Sequence, residues 1–279
     1  MNSFKSHFIS AWMTLLFAGT ARSAWAIYQQ ENTSSWLWVL LGVASPLLFF
    51  VWVFTANVAR TEKATKFILA VTILALIGLV ATPPATIEQL AWILLVGVIG
   101  TVLYEWWYSS FGDRSNALLD VGQTLPALTF RKTDGGALNT NELNKPMLMI
   151  FYRGNWCPLC MAQIKEIAGQ YRQLADKGVE VMLISSQPPS HTSSLAERFD
   201  APMSFLVDQD NQMANRLGIA ATQGLPSGLQ ALGYDSDTVM PTVIMTDAQS
   251  KILFADLTDN YRIRPEPDTF LKVFAQAGI

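Results

Sequence analysis

The stretch Met147-Leu148-Met149-Ile150-Phe151-Tyr152-Arg153-Gly154-Asn155-Trp156-Cys157-Pro158-Leu159-Cys160-Met161 decides how the C-terminal part of this chain is read. Its first residues form a continuous apolar run of buried-strand type, which Arg153-Gly154-Asn155 interrupts. From Pro158 onward, apolar residues at Met161, Ile164, Ile167 and Tyr171 recur at helical spacing until Gly178 closes the segment. The resulting order is strand, loop carrying a CxxC pair, helix. Cys157 falls at the helix start, where unpaired backbone N–H groups and the helix dipole favour a thiolate over a thiol. Pro158 suits the first helical turn because its missing N–H has no partner there. Cys160, one turn on, is within reach of a mixed disulfide or a sulfenic acid formed at Cys157. Cys157 is therefore the candidate attacking thiol and Cys160 the candidate resolving thiol.

The chain holds 2 cysteines in 279 residues, which excludes a disulfide-stapled secreted fold and leaves the pair as local chemistry. A closed zinc site would need carboxylates or a second chain, since no second CxxC exists and one histidine, His191, follows the motif. His191, in Pro188-Pro189-Ser190-His191-Thr192, reads as an exposed loop residue ahead of a short helix. Arg153 reads either as an aid to the thiolate or as an exposed charge at a strand end. No metal is expected, and no cofactor beyond a redox-active Cys157–Cys160 disulfide. Soft thiolates also suit Cu(I), so copper delivery by Cys157, Cys160 and His191 is the non-enzymatic alternative.

Working outward, residues 125–130, 179–185 and 203–207 read as strands, and residues 243–245 and 252–255 as a closing hairpin. Residues 158–177, 193–199 and 268–277 read as helices, and Asp134-Gly135-Gly136 as a turn. This βαβ rhythm implies a partly parallel α/β sheet over residues 119–279, preceded by a polar linker at 109–118.

The first 108 residues differ in kind. The whole chain is 51% hydrophobic and 15% charged, against about 25% charged in an ordinary soluble domain, and the apolar excess lies here. Residues 36–58, 64–82 and 87–104 are long and apolar enough to cross a lipid bilayer. Residues 8–28 fit either a fourth span, with Arg22 snorkelling to an interface, or a cleaved signal peptide ending at Ala24-Trp25-Ala26. Arg60, Lys63 and Lys66 follow the 36–58 span, whereas residues 83–89 carry no Lys or Arg. That bias places the C-terminal domain of a multi-pass bacterial-type inner-membrane protein in the cytoplasm, with the periplasm as the alternative. The spans contain no Cys and read as an anchor. With 19 Lys and Arg against 22 Asp and Glu, there is no basic block for nucleic acid.

From about Asp120 onward the chain resembles the thioredoxin-fold superfamily, and within it the peroxiredoxin-like alkyl hydroperoxide reductase and thiol-specific antioxidant family. Phe151 to Cys160 is similar to that family's active-site strand and loop. Ile184-Ser185-Ser186, Phe205-Leu206-Val207-Asp208 and Leu217-Gly218 are similar to its later sheet segments. Tyr261-Arg262-Ile263-Arg264-Pro265-Glu266-Pro267 is similar to a C-terminal signature of the same branch. The resemblance implies that Pro241 is a cis-proline beside the CxxC, presenting the Met240 backbone to a disulfide substrate, so that Trp156, Pro158, Met240 and Pro241 form the substrate surface. Two features depart from the peroxidase pattern. Gly154 and Ile150 stand where typical members carry Thr and Pro, and no Arg occurs near Met240 where the peroxide-polarising Arg is expected. The implied activity is thiol-disulfide exchange, or less efficiently hydroperoxide reduction, with a thiol donor such as thioredoxin or glutathione. A true thiol peroxidase is the alternative enzyme.

Overall fold

A computed structural model describes residues 2–279. The chain divides into two compact units, Ser3–Ser110 and Phe111–Ile279.

The first unit consists of four helices, α1 (Asn2–Tyr28), α2 (Thr33–Thr55), α3 (Glu62–Val80) and α4 (Ile87–Tyr108). By length and composition α2, α3 and α4 are each able to cross a membrane. α1 is long enough, but its polar content sets it apart from those three. α2 continues through Pro46 and ends at Thr55, ahead of the expected Val58, because Asn57 takes a left-handed φ of 51° that helical residues do not adopt. Arg22 is ion-paired within the unit. Its guanidinium lies 2.9 Å from Glu88 Oε1 and 3.2 Å from Glu31 Oε2, and 4.5 Å from the Trp36 ring centroid.

α4 contains two π-helical stretches, Trp92–Ile99 and Leu103–Tyr108. Such wider turns loosen the helical hydrogen-bond ladder. One carbonyl there, Val96 O, accepts the Trp12 indole N–H at 2.9 Å. Small residues let the helices approach: a Cβ on Gly97 would lie 2.9 Å from Gly42 O, and one on Gly100 would lie 2.1 Å from Trp12 Nε1.

The second unit is built on a seven-stranded sheet of order β2-β1-β5-β4-β3-β8-β9. Its strands are β1 (Thr129–Lys132), β2 (Ala137–Asn139), β3 (Met147–Phe151), β4 (Glu180–Ser185), β5 (Ser204–Val207), β8 (Thr242–Thr246) and β9 (Ile252–Asp256). β6 (Ala220–Ala221) and β7 (Thr238–Val239) form a separate pair. β3, β4 and β5 are parallel, while β8 and β9 close one edge in antiparallel pairing. Every residue of β3 is buried, as expected of a central strand covered on both faces. The helices are α5 (Pro158–Asp176), α6 (Pro189–Ala196), α7 (Gln212–Arg216) and α8 (Pro267–Gln276). A core of Leu128, Phe130, Met149, Phe151, Met182, Leu206, Leu217 and Ile244 packs one face of the sheet against the α7 segment.

Two local expectations are corrected and one element is added. The first strand starts at Thr129 rather than Leu125, because Pro126 has no N–H for a ladder and Leu125 N–H is taken by Ser250 O. The helix expected over 193–199 covers Pro189–Ala196, since Pro189 occupies its first turn. The short α7 is an addition, and its first amides are held by Asp208, whose carboxylate accepts Met213 N–H at 2.9 Å and Ala214 N–H at 2.7 Å.

Candidate active site

β3 delivers the chain to the loop Tyr152 to Trp156, and α5 leaves from it, so the two cysteines sit at the carboxyl end of a central parallel strand. Cys157 is the N-cap of α5, and its Sγ accepts Cys160 N–H at 3.3 Å. The two cysteines are paired as a disulfide with Cα atoms 5.3 Å apart. Cys160 is fully enclosed and Cys157 nearly so, at 0% and 3% exposure, so reagents must approach through the partly exposed Trp156 and Pro158. Pro158 takes the first position of the helix.

The loop is held by one buried carboxamide. Gln187, two residues beyond β4, accepts Asn155 N–H at 2.9 Å. Its Nε2 lies 3.1 Å from Tyr152 Oη, 3.0 Å from Asn155 Oδ1 and 3.2 Å from Thr192 Oγ1. Asn155 Nδ2 in turn donates to His191 O at 2.8 Å. Burial holds the Tyr152 phenol well above its ordinary pKa of 10.0, so it stays neutral and able to hydrogen bond. Sequence reasoning did not single out Gln187. The available signal was its place just past a parallel strand adjacent to β3.

Gly154 accounts for the first departure from the peroxidase pattern. Its φ is +148°, and a Cβ there would lie 2.6 Å from Trp156 Nε1. A threonine has no room while Trp156 keeps this position. Arg153 is buried rather than an exposed strand-end charge. Its guanidinium stacks 4.6 Å from the Trp156 ring centroid and 5.8 Å from that of Tyr261, and Nη2 donates to Gly224 O. His191 lies in the first turn of α6, with its ring 4.5 Å from that of Tyr234 and Nε2 3.2 Å from Leu232 O. Among the described residues, no group of three His, Cys or carboxylate side chains comes together as metal ligands.

Met240 and Pro241 reach the same end of the sheet, because Thr242 pairs with Phe151. The expected cis-proline is corrected: among the described residues the cis peptide bond is Pro83–Pro84, and Met240–Pro241 is not cis. The Met240 backbone is hydrogen-bonded within the fold. β7 feeds straight into β8, so Met240 N–H donates to Ile219 O at 2.8 Å and Met240 O accepts Thr242 Oγ1 at 2.8 Å. Pro241 O accepts Arg114 Nη1 at 3.0 Å, and Arg114 Nη2 donates to Thr242 Oγ1 at 2.6 Å. Burial pushes the Arg114 pKa down to about 10, which leaves it a cation at neutral pH.

A second guanidinium reaches the sulfur pair itself. Arg264, in the loop before α8, donates Nη1 to Gln163 Oε1 at 2.7 Å and Nη2 to Cys160 Sγ at 3.5 Å. Both residues lie outside the set read from the sequence as site residues, although Arg264 belongs to the C-terminal signature quoted above.

Residues 121–255 match the AhpC/TSA family. A chloroplastic peroxiredoxin Q from Populus jackii is 28% identical over 114 residues, covering 40% of this chain and 54% of that protein. Thiol-disulfide oxidoreductase ResA from Geobacillus thermodenitrificans is 22% identical over 128 residues, covering 46% of this chain and 71% of that protein. The chain thus spans about half the length of the chloroplastic relatives it matches. Among solved structures, a thiol peroxidase from Chromobacterium violaceum aligns with a TM-score of 0.48 and 16% identity, over 61% of this chain and 92% of that one. Over residues 121–255 the C-terminal unit carries a peroxiredoxin-like, thioredoxin-fold domain similar to the AhpC/TSA family.

Proposed function

We propose that the chain is a membrane-anchored thiol-disulfide oxidoreductase that reduces disulfides through Cys157 and Cys160. The observation that carries this reading is the paired cysteines at the N-terminus of α5, with Cys157 Sγ receiving a backbone amide. In the reduced protein, the Cys157 thiolate attacks one sulfur of a substrate disulfide and expels the other as a thiolate, which takes up a proton. The Cys160 thiolate then attacks Cys157 Sγ and releases the second substrate thiol. Two electrons have passed to the substrate, and the Cys157–Cys160 disulfide awaits a thiol donor of thioredoxin or glutathione type. Trp156 and Pro158, both partly exposed, form the rim against which such a substrate docks, and Met240 and Pro241 lie at the same end of the sheet.

A second reading, hydroperoxide reduction, is supported by the peroxiredoxin relatives. There Cys157 attacks the O–O bond, giving an alcohol and a Cys157 sulfenic acid, and Cys160 condenses with it to release water. Steady-state turnover of the full chain with a thiol donor separates the readings. Disulfide reduction lost in both Cys157→Ser and Cys160→Ser, with hydroperoxide turnover no faster than that of a free thiol, supports exchange; rapid hydroperoxide turnover overturns it.

The membrane part of the proposal rests on α2, α3 and α4, whose outward side chains include Leu48, Phe54, Phe67, Leu74, Ile77 and Leu95, all exposed. A helix apolar both inside and out finds its partner in lipid. The charge bias of Arg60, Lys63 and Lys66 supports a cytoplasmic side for the catalytic domain. Protease protection of residues 111–279 in spheroplasts tests that orientation, and cleavage from the periplasmic face reverses it.

A further inference from the structure

The two sulfurs of the pair are served by different groups. Cys157 Sγ accepts a backbone amide at the helix N-terminus, whereas Cys160 Sγ, wholly shielded from solvent, faces the guanidinium of Arg264 at 3.5 Å. Arg264 is itself 6% exposed and is aimed by its second bond, to Gln163 Oε1 one turn further along α5. Burial alone pushes a thiol towards its neutral form. A guanidinium in the same enclosure acts the other way, because its charge is weakly screened there.

The surrounding charges permit that effect. The first turn of α5 holds no acidic residue. Asp256, at the end of β9, acts electrostatically on both Arg264 and Arg114, so one carboxylate is shared between two cations. Glu166, partly buried on α5, lies one turn beyond Gln163, and Arg153 lies across the loop on Trp156.

We propose that Arg264 is a catalytic residue that holds Cys160 as a thiolate, making it both the resolving nucleophile and the leaving group of the pair. When a donor thiolate attacks Cys157 Sγ, the Cys157–Cys160 bond breaks and its electron pair leaves on Cys160, beside the guanidinium. In the reverse sense, the same thiolate attacks Cys157 Sγ without first losing a proton. A lower leaving-group pKa speeds opening, and a stabilised reduced form makes the couple more oxidising. The assignment rests on the exchange chemistry proposed above only for its consequence, not for the ionisation itself.

The test uses the full chain in detergent. In Cys157→Ser, ultraviolet difference absorbance against Cys157→Ser/Cys160→Ser reads Cys160 ionisation directly. The expected midpoint lies well below the ordinary thiol value of about 8.5, and a midpoint at or above that value overturns the proposal without any change to Arg264. Adding Arg264→Gln should raise the midpoint, and Arg264→Lys should restore part of the shift. With both cysteines present, Arg264→Gln should change the equilibrium with glutathione at least tenfold towards the disulfide, and should slow opening by dithiothreitol by a similar factor. An unchanged equilibrium in folded Arg264→Gln overturns it. Absence of any reductase or peroxidase turnover, with the Arg264-dependent midpoint intact, overturns the proposed function and leaves this assignment standing.

Discussion

The carboxamide of Gln187 accepts the backbone N–H of Asn155 at 2.9 Å, two residues before Cys157, and its Nε2 faces Tyr152, Asn155 and Thr192. One side chain from the end of β4 therefore ties together the loop that leaves β3 and the start of α6. Removing it leaves several buried polar atoms without their partner, at a cost of roughly 2–3 kcal/mol. Gln187→Ala should lower the thermal midpoint of the C-terminal domain and slow disulfide exchange about tenfold or more, through loss of loop position. Gln187→Glu keeps the acceptor for Asn155 N–H but removes the donor, and should fall between the two. Calorimetry with dithiothreitol opening rates checks both; an exchange rate unaffected in Gln187→Ala would show that the loop holds itself.

Gly154→Thr would restore the residue that typical peroxidases carry at this position, and it is expected to harm this protein. The new Cβ meets Trp156 Nε1 at 2.6 Å and Gln187 Oε1 at 3.4 Å, at a φ of +148° that a β-branched residue does not tolerate. Strain of this kind costs of order 1–3 kcal/mol. Trp156 must leave its place under Arg153, so a changed tryptophan emission should accompany lower stability and no gain in hydroperoxide turnover. A stable variant with enhanced peroxidase activity would show that Trp156 blocks, rather than serves, the site.

The strand, CxxC loop and helix were legible because their signals are local: an unbroken apolar run, two loop residues and a helical repeat from Met161 to Tyr171. The apolar helices of the first unit were legible for the same reason. Arg264 and Gln187 were not, since each acts through tertiary contact, Arg264 across 104 positions of sequence to Cys160. Spacing cannot reveal that a charge in a C-terminal loop points at a sulfur. The cis-proline expectation at Met240–Pro241 failed differently. It was carried over from family likeness, and here the Arg114 bonds to Pro241 O and Thr242 Oγ1 accompany a continuous path from β7 to β8 without a cis bond.

Asp208 and Asp256 contribute to the acid side of the pH profile. Burial raises both pKa values above the ordinary 3.8, against the opposing hydrogen bonds from Met213 and Ala214 to Asp208 and from Thr258 to Asp256. The folded state then holds these protons more tightly than the unfolded state. Their contribution is present at pH values below the unfolded pKa and is lost as pH rises through the folded pKa. Asp256→Asn keeps an acceptor for Thr258 N–H and removes the titration, so its stability should fall less over that interval than that of the parent. Urea midpoints measured from about pH 4 upward decide it; parallel pH profiles would mean that Asp256 titrates alike in both states.

Gly97 faces Gly42 where α2 and α4 meet, and a Cβ on Gly97 would lie 2.9 Å from Gly42 O. The obstacle is backbone rather than a side chain that can swing away, so Gly97→Val must separate the helices. Overpacking of this kind costs typically 1–3 kcal/mol, and in lipid the close approach is itself a main source of helix association. The variant should aggregate at a lower temperature in detergent than the parent. Because Cys157, Cys160 and Arg264 all belong to the other unit, the equilibrium of the disulfide with glutathione should stay within twofold of the parent. Measured together, a lowered aggregation temperature with an unmoved redox equilibrium assigns the helices to anchorage. A redox equilibrium that shifts with Gly97→Val would instead make the N-terminal helices part of the electron-transfer device.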